Sequence, residues 1–188
     1  MKEDTPIVID LCNDSSEFEQ ILSLQSLSLP KNLTQAQRQS DGFVTLKHDL
    51  KLLNEMNQVA KQVVAKVGQE VIGYALVMPV EFRSLIPILE PMFAMIEKIE
   101  YQGRLLKDFS YYVMGQICIG EKYRGQGIFA KLYAEHKRVY SKKYEVCLTE
   151  ISTSNPRSLR AHEKVGFKII HTFKDETDEW NIVLWDWK

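Results

Sequence analysis

A chain of 188 residues with 24 basic and 25 acidic side chains carries a net charge of -1, so no overall basic field gathers nucleic acid or an anionic membrane. Its 45% hydrophobic and 26% charged content is that of a soluble globular protein, long enough for one continuous core and expected to form a single domain over 1–188. No window approaches about twenty apolar residues and the opening Met-Lys-Glu-Asp has no hydrophobic signal region, which leads to the expectation of a cytoplasmic protein with no membrane span.

In chain order, Pro6 to Cys12 reads as a short first strand, and Asn13-Asp14-Ser15-Ser16 offers capping oxygens for a helix over Glu17 to Leu27. Pro30 closes that segment. A shorter polar helix is expected over Leu33 to Ser40, and a further helical stretch over His48 to Met56. Val59 to Val67 and Val71 to Pro79 flank Gly68-Gln69 as a hairpin. The segment 81–110 carries Phe82, Leu85, Ile86, Leu89, Met92, Phe93, Ile96 and Ile99 at helical spacing, interrupted by Pro87 and Pro91. Two short helices are expected there, as an apolar cap on the core, a cover for a pocket or a dimer contact. Tyr111 to Ile119 is a buried strand, Gly127 to Lys142 a helix, Glu145 to Thr153 a strand and Asn155 to Val165 a helix stopped by Gly166. Lys168 to Phe173 and Asn181 to Trp187 close the chain as a hairpin. Cys12, Cys118 and Cys147 are odd in number and lie in apolar runs, which suits buried, reduced thiols.

The chain is organised around Val113 to Phe129. An apolar strand runs out through Gly120-Glu121-Lys122 into Arg124-Gly125-Gln126-Gly127, where a helix begins. Glycines at a helix start expose backbone N–H groups at the positive end of the helix dipole, a place that holds phosphate, and Arg124 adds a fixed positive charge. Gly125-x-Gly127-x-x-Ala130 also satisfies the dinucleotide fingerprint, with Glu150 near the spacing of an acidic ribose ligand. A dinucleotide-dependent oxidoreductase is therefore a competing reading. Five residues between strand and first glycine, and too few βα units for a doubly wound sheet, weigh against it. No phosphate loop of the Gly-x-x-x-x-Gly-Lys-Ser/Thr type occurs.

Arg124-Gly125-Gln126-Gly127-Ile128-Phe129 resembles the acetyl-CoA signature of the GNAT superfamily of N-acetyltransferases, Gln/Arg-x-x-Gly-x-Gly/Ala. Downstream, Asn155 to Phe167 resembles that family's second motif, an Asn after a strand followed by a helix ending in Lys-x-Gly-Phe. The match covers about residues 61 to 187. It implies a mixed α/β fold with a mostly antiparallel central sheet, helices on both faces, and a helical insertion at about 81–110. It also implies transfer of an acetyl group from acetyl-CoA to an amine of a small molecule or peptide, with no metal.

On that resemblance the pyrophosphate meets the amides of Gln126, Gly127, Ile128, Phe129 and Ala130, beside Arg124 and Gly125. The pantetheine arm pairs in strand fashion with Cys118 and Ile119, where a backbone N–H polarises the thioester carbonyl. Asn155 is expected either to meet the pantetheine or to cap its helix. Two positions depart from the family's pattern. Phe129 stands where Gly or Ala is usual. His162 stands where many members carry a Tyr that protonates the leaving sulfur, and is the candidate general acid or thiol contact. Glu150, mid-strand among apolar neighbours, is the first candidate for general base because burial raises a carboxyl's affinity for its proton. A non-catalytic acyl-CoA-binding module is the other alternative, and the acceptor is left open.

Overall fold

Apolar side chains alternating along the central strands sort the core onto the two faces of one sheet. In the computed structural model, residues 5–35, 37 and 43–188 are described. The elements are β1 (Ile7–Leu11), α1 (Ser15–Leu27), α2 (Leu50–Val59), β2 (Val63–Val67), β3 (Glu70–Met78), α3 (Glu90–Ile96), the short β4 (Glu100–Tyr101) and β5 (Arg104–Leu105), β6 (Tyr111–Ile119), α4 (Ile128–Tyr140), β7 (Val146–Ser152), α5 (Pro156–Val165), β8 (Lys168–Lys174) and β9 (Glu179–Asp186). Seven strands form a sheet in the order β1-β2-β3-β6-β7-β9-β8. Only β6 and β7 run parallel; every other pair is antiparallel. This mixed sheet with helices on both faces is the expected fold, and it is not the parallel, doubly wound sheet that a dinucleotide fingerprint requires.

Val64, Tyr74, Leu76, Met78, Val113 and Leu148 point to the face covered by α1, α2 and the segment 80–108. Val63, Ala65, Ala75, Val77, Tyr112, Met114 and Cys147 point to the face covered by α4 and α5. The segment 80–108 differs from the two helices expected of it. Pro91 lies in the first turn of α3, where its missing N–H is harmless, so one α-helix starts at Glu90. Ahead of it Val80–Leu85 and Pro87–Leu89 wind as 3-10 turns, and a hairpin of β4 and β5 follows it. Phe82, Ile86, Met92, Phe93, Ile96 and Leu106 are all buried, so the segment completes the core.

The N-terminal third corrects two boundaries. The expected helix over 48–56 starts at Leu50 because the Asp49 carboxylate accepts from the Leu52 N–H, and it runs on to Val59, displacing the start of the next strand to Val63. Half of the helix expected over 33–40 lies outside the described residues. The three cysteines are free and buried. Among the described residues no helix is long and apolar enough to cross a membrane.

Two irregularities in β6 shape everything that follows. The first is its pairing with β7, which lasts only from Tyr111–Val146 to Val113–Leu148. Beyond Val113 the two strands part, and the Thr149 hydroxyl caps the Met114 carbonyl at 2.9 Å where they do so. The second is a bulge. Leu76 faces Gln116 and Val77 faces Met114, leaving Gly115 as the extra residue. One extra residue reverses the phase of the strand, so Gln116 and Cys118 turn toward α1 whereas Ile117 and Ile119 turn away.

Candidate active site

A cleft opens where β6 and β7 part. Its larger part, about 190 Å³, is lined by Ile117, Cys118, Ile119, Arg124, Gly125 and Phe129 on one side and by Asn155, Arg157, Ser158 and Ala161 on the other. A smaller part of about 80 Å³ continues inward, between Gly115, Gln116, Thr149, Glu150, Ser158, His162 and Trp180. Phe43, Val44, Ile117, Asn155 and Ser158 line both, so the two parts adjoin.

The outer end is the glycine turn. Gly125 and Gly127 have φ of 77° and 74°, a region that costs residues with a Cβ, and a Cβ on either would meet nothing within 4 Å. Gly127 is the N-cap of α4 and supplies no side chain, so the first-turn amides of Ile128, Phe129 and Ala130 leave the helix end without a side-chain cap. Gln126 is turned back, donating from Nε2 to the Lys122 carbonyl. Arg124 donates from Nε to the Ile119 carbonyl at 3.2 Å, which holds its guanidinium along the cleft wall. Phe129 packs its ring edge-on against His162, with centroids 5.1 Å apart, so its bulk faces the helix pair and leaves the turn amides clear.

The β6 wall refines one expectation. The Gly120 N–H donates to the Ile72 carbonyl, so in this antiparallel ladder Gly120, Cys118 and Gln116 direct their backbone groups at β3. The alternate residues Ile117 and Ile119 direct theirs into the cleft. On this wall the backbone groups not engaged with β3 are therefore those of Ile117 and Ile119, and Cys118 presents its thiol to the Ser28 hydroxyl at 3.0 Å. Burial pushes that thiol's pKa up. Ile117 was not singled out because its phase depends on the Gly115 bulge, and a bulge leaves no mark in a run of apolar residues.

Asn155 uses both ends of its amide. Oδ1 accepts from the Ser158 N–H, capping α5, and Nδ2 donates to the Phe43 carbonyl at 3.2 Å. This ties the segment 43–49 over the cleft. The same segment is tied to the sheet through Gln116, whose Nε2 donates to the Leu46 carbonyl. Gln116 Oε1 accepts from Tyr74 and from Gln25. Gln25 in turn accepts the His48 N–H on Oε1 and donates from Nε2 to His48 Nδ1. The backbone donor at His48 sets the direction of every bond in this buried chain.

Glu150 and His162 approach the inner cleft from opposite faces of the sheet. Glu150 pairs with Ile182 and shares the α1 face with Leu148; burial, and next the charge of Asp175, push its pKa from 4.5 up to about 8. His162 sits on α5, 2% exposed, and burial holds its pKa down at about 4. Its Nδ1 lies 2.8 Å from the Ser158 carbonyl, which can only accept, so Nδ1 carries the proton of the neutral ring. Nε2 is then a bare lone pair, and it has no hydrogen-bond partner among the described residues. The donor N–H that a general acid would offer to a sulfur is thus occupied within the helix.

The profile of the Acetyltransferase (GNAT) family matches residues 31–167. The chain belongs to the GNAT acetyltransferase family. Solved structures share its fold. The NatC complex bound to Gag peptide and CoA aligns with a TM-score of 0.64 at 14% identity, over 97% of this chain and 99% of that one. Salmonella typhimurium yncA with acetyl-CoA gives 0.63 at 13%, over 97% and 95%. Arabidopsis thaliana Naa50 with the bisubstrate analogue CoA-Ac-MVNAL gives 0.62 at 15%, over 95% and 97%. No curated protein sequence matches the chain. Among the described residues of this GNAT chain, no cluster of three or more His, Cys, Asp or Glu could hold a metal ion.

Proposed function

We propose that this GNAT protein transfers the acetyl group of acetyl-CoA to an amine of a small molecule or peptide, acting as a single domain in the cytoplasm. One observation carries the reading. Two adjoining pockets set an uncapped, glycine-lined helix start beside Arg124 and a buried carboxyl, Glu150, along the same unpaired strand edge. The turn amides of Gln126 to Ala130 hold the pyrophosphate, and Arg124 and Arg157 line the same end. The amide-bearing arm of the donor adds to the edge at Ile117 and Ile119, and a backbone N–H there polarises the thioester carbonyl.

The amine arrives protonated at neutral pH. Glu150, as carboxylate, takes one proton from it, and the free amine attacks the thioester carbon. A carboxyl titrating near 8 is matched to an α-amine, whose ordinary pKa is about 7.7–8.0, which is what an efficient base requires. Peptide amines belong among the candidate acceptors because two neighbours of the same fold hold peptide-derived ligands.

A thermal-shift titration with CoA, acetyl-CoA and NAD on wild type and Gly127→Trp tests the donor site. At about a hundredfold excess over Kd, native-state binding adds about 2.7 kcal/mol. A rise with CoA ligands that is lost in the variant, followed by thiol release in a screen of amines, is the expected result. A rise with NAD alone would overturn the reading. Binding without thiol release across small-molecule and peptide amines would assign the chain to the non-catalytic acyl-CoA binders.

A further inference from the structure

We propose that the acceptor is an α-amine with an uncharged carbonyl beside it, as in an α-amino amide or the first residue of a peptide. Free amino acids are turned away by the charge of their carboxylate, and Asp175 is the residue that sharpens this exclusion. The inference rests on the acetyl-transfer reading and names the acceptor class of the same site.

Three observations carry it. The first is how charge is distributed along the cleft. Arg124 and Arg157 line the outer part, at the end that takes the phosphates of the donor in the acetyl-transfer reading. Among the described residues no Lys or Arg lines the inner part, where Glu150 is the carboxyl and His162 is kept neutral by burial. Second, the polar side chains of β6 and β7 around Glu150 are committed to the protein. Gln116 Nε2 donates to the Leu46 carbonyl at 2.8 Å, the Thr149 hydroxyl to the Met114 carbonyl at 2.9 Å and the Ser152 hydroxyl to Asp178 Oδ2 at 2.5 Å. The Trp180 indole N–H is buried below the cavity surface. A carboxylate entering here would lose its water without gaining these donors in return, a far larger penalty than an amide carbonyl meets. Third, the charge that acts on Glu150 is a second anion, Asp175. Asp175 sits in the turn between β8 and β9, where Oδ1 accepts from the Thr177 N–H, the Thr177 hydroxyl and the Asp178 N–H. Bonds of this kind keep a carboxyl ionised.

An ammonium brought to Glu150 is therefore attracted by two carboxylates, whereas a carboxylate one carbon away from it is repelled by both. In an α-amino acid that carboxylate would stand about 5 Å from the carboxyl holding the amine, where repulsion at the effective dielectric of a protein interior amounts to about 10²-fold. An amide in the same place carries no charge and escapes the repulsion. The amine of such a compound, with an ordinary pKa of about 7.7–8.0, also matches Glu150 in proton affinity, which the more basic side-chain amines do not. The cleft is thus electrically polar from end to end, cationic where the anionic donor enters and anionic where the amine must arrive.

The test is thiol release from acetyl-CoA by the wild-type protein with matched pairs, each amino acid beside its own amide, and with simple alkyl amines. Rates are expressed per free amine, so that differences in basicity drop out. In every pair that reacts, kcat/KM for the amide should exceed that for the free acid by about 10²-fold, and a ratio under about tenfold overturns the proposal. Turnover of alkyl amines but of no α-amino amide overturns it too, while leaving acetyl transfer intact. Asp175→Asn keeps the Oδ1 acceptor of the turn and removes only the charge, so the ratio should narrow about threefold, the size of a partly screened interaction. An unchanged ratio overturns the assignment of Asp175. Asp175→Ser supplies the same readout if the Asn protein does not fold. Wild type that releases thiol with no amine in the panel sinks the acetyl-transfer reading itself, whether or not CoA binds.

Discussion

Replacing Glu150 by Gln should make the protein more stable and nearly inactive at once. Burial raises the folded-state pKa of Glu150 from 4.5 to about 8, so the unfolded chain gives up this proton first as pH rises. Wild type is therefore penalised progressively above pH 4.5, and the penalty levels off above about 8. At about 1.36 kcal/mol per tenfold change in proton affinity, it amounts to about 3 kcal/mol at pH 7 and to less than about 1 kcal/mol at pH 5. Glutamine has nearly the same shape and no charge to bury. For a domain of this size about 3 kcal/mol raises Tm by about 6–12 °C. Calorimetric melting of both proteins at pH 5 and pH 7 checks this, with a gap that opens as pH rises. Equal gaps at the two pH values, or a variant that melts below wild type at pH 7, would refute the burial argument. In the same proteins kcat/KM at pH 8 should fall about 10²–10⁴-fold on substitution. Wild-type kcat/KM should climb about tenfold per pH unit below 8, since the ionised carboxyl is the working form.

Two further outcomes follow from other buried groups. His48, His136 and His162 are each held near a pKa of about 4 by burial, so the folded protein stays neutral where the unfolded chain takes up protons. Stability is then lost as pH falls from 6.5 toward 4, about 2 kcal/mol per histidine at pH 5, which outweighs the opposite contribution of the single Glu150; a urea midpoint unchanged between pH 7 and 5 would contradict this. Asn155→Ala should cost about 1 kcal/mol as a lost helix cap and should also free the segment 43–49 from α5, read as a raised KM for the acceptor with little change in the donor Kd.

The glycine turn, the strand before it and the helix after it were legible because each has a local cause. Apolar β-branched residues favour β6, Gly125 and Gly127 permit positive φ, and a 3.6-residue period builds α4. The Asn155 cap and the Gly166 stop were legible for the same reason. What escaped was set by pairing. The Gly115 bulge decides that Ile117 and Ile119, not Cys118, show their backbones to the cleft, and only the register with β3 reveals it. The tautomer of His162 depends on a carbonyl four residues back, at a distance that sequence spacing permits in any helix but does not require. Gln116 lies on β6, one residue past the bulge. The bulge turns it into the hinge of a hydrogen-bonded chain from Tyr74 to Leu46.

The parting of β6 from β7 leaves two bare strand edges facing each other inside the molecule. Bare edges ordinarily invite association, because any extended chain can dock on them. Here α5 and the segment 43–49 roof the gap, tied together by the Asn155–Phe43 bond, so another protein's strand has no flat approach to it. A slender molecule carrying amide groups can still thread in lengthwise. The fold thus leaves a gap in its own sheet whose roof hinders edge-to-edge association. Amide hydrogen exchange at Ile117 and Ile119 should be fast in the free protein and slowed on addition of CoA.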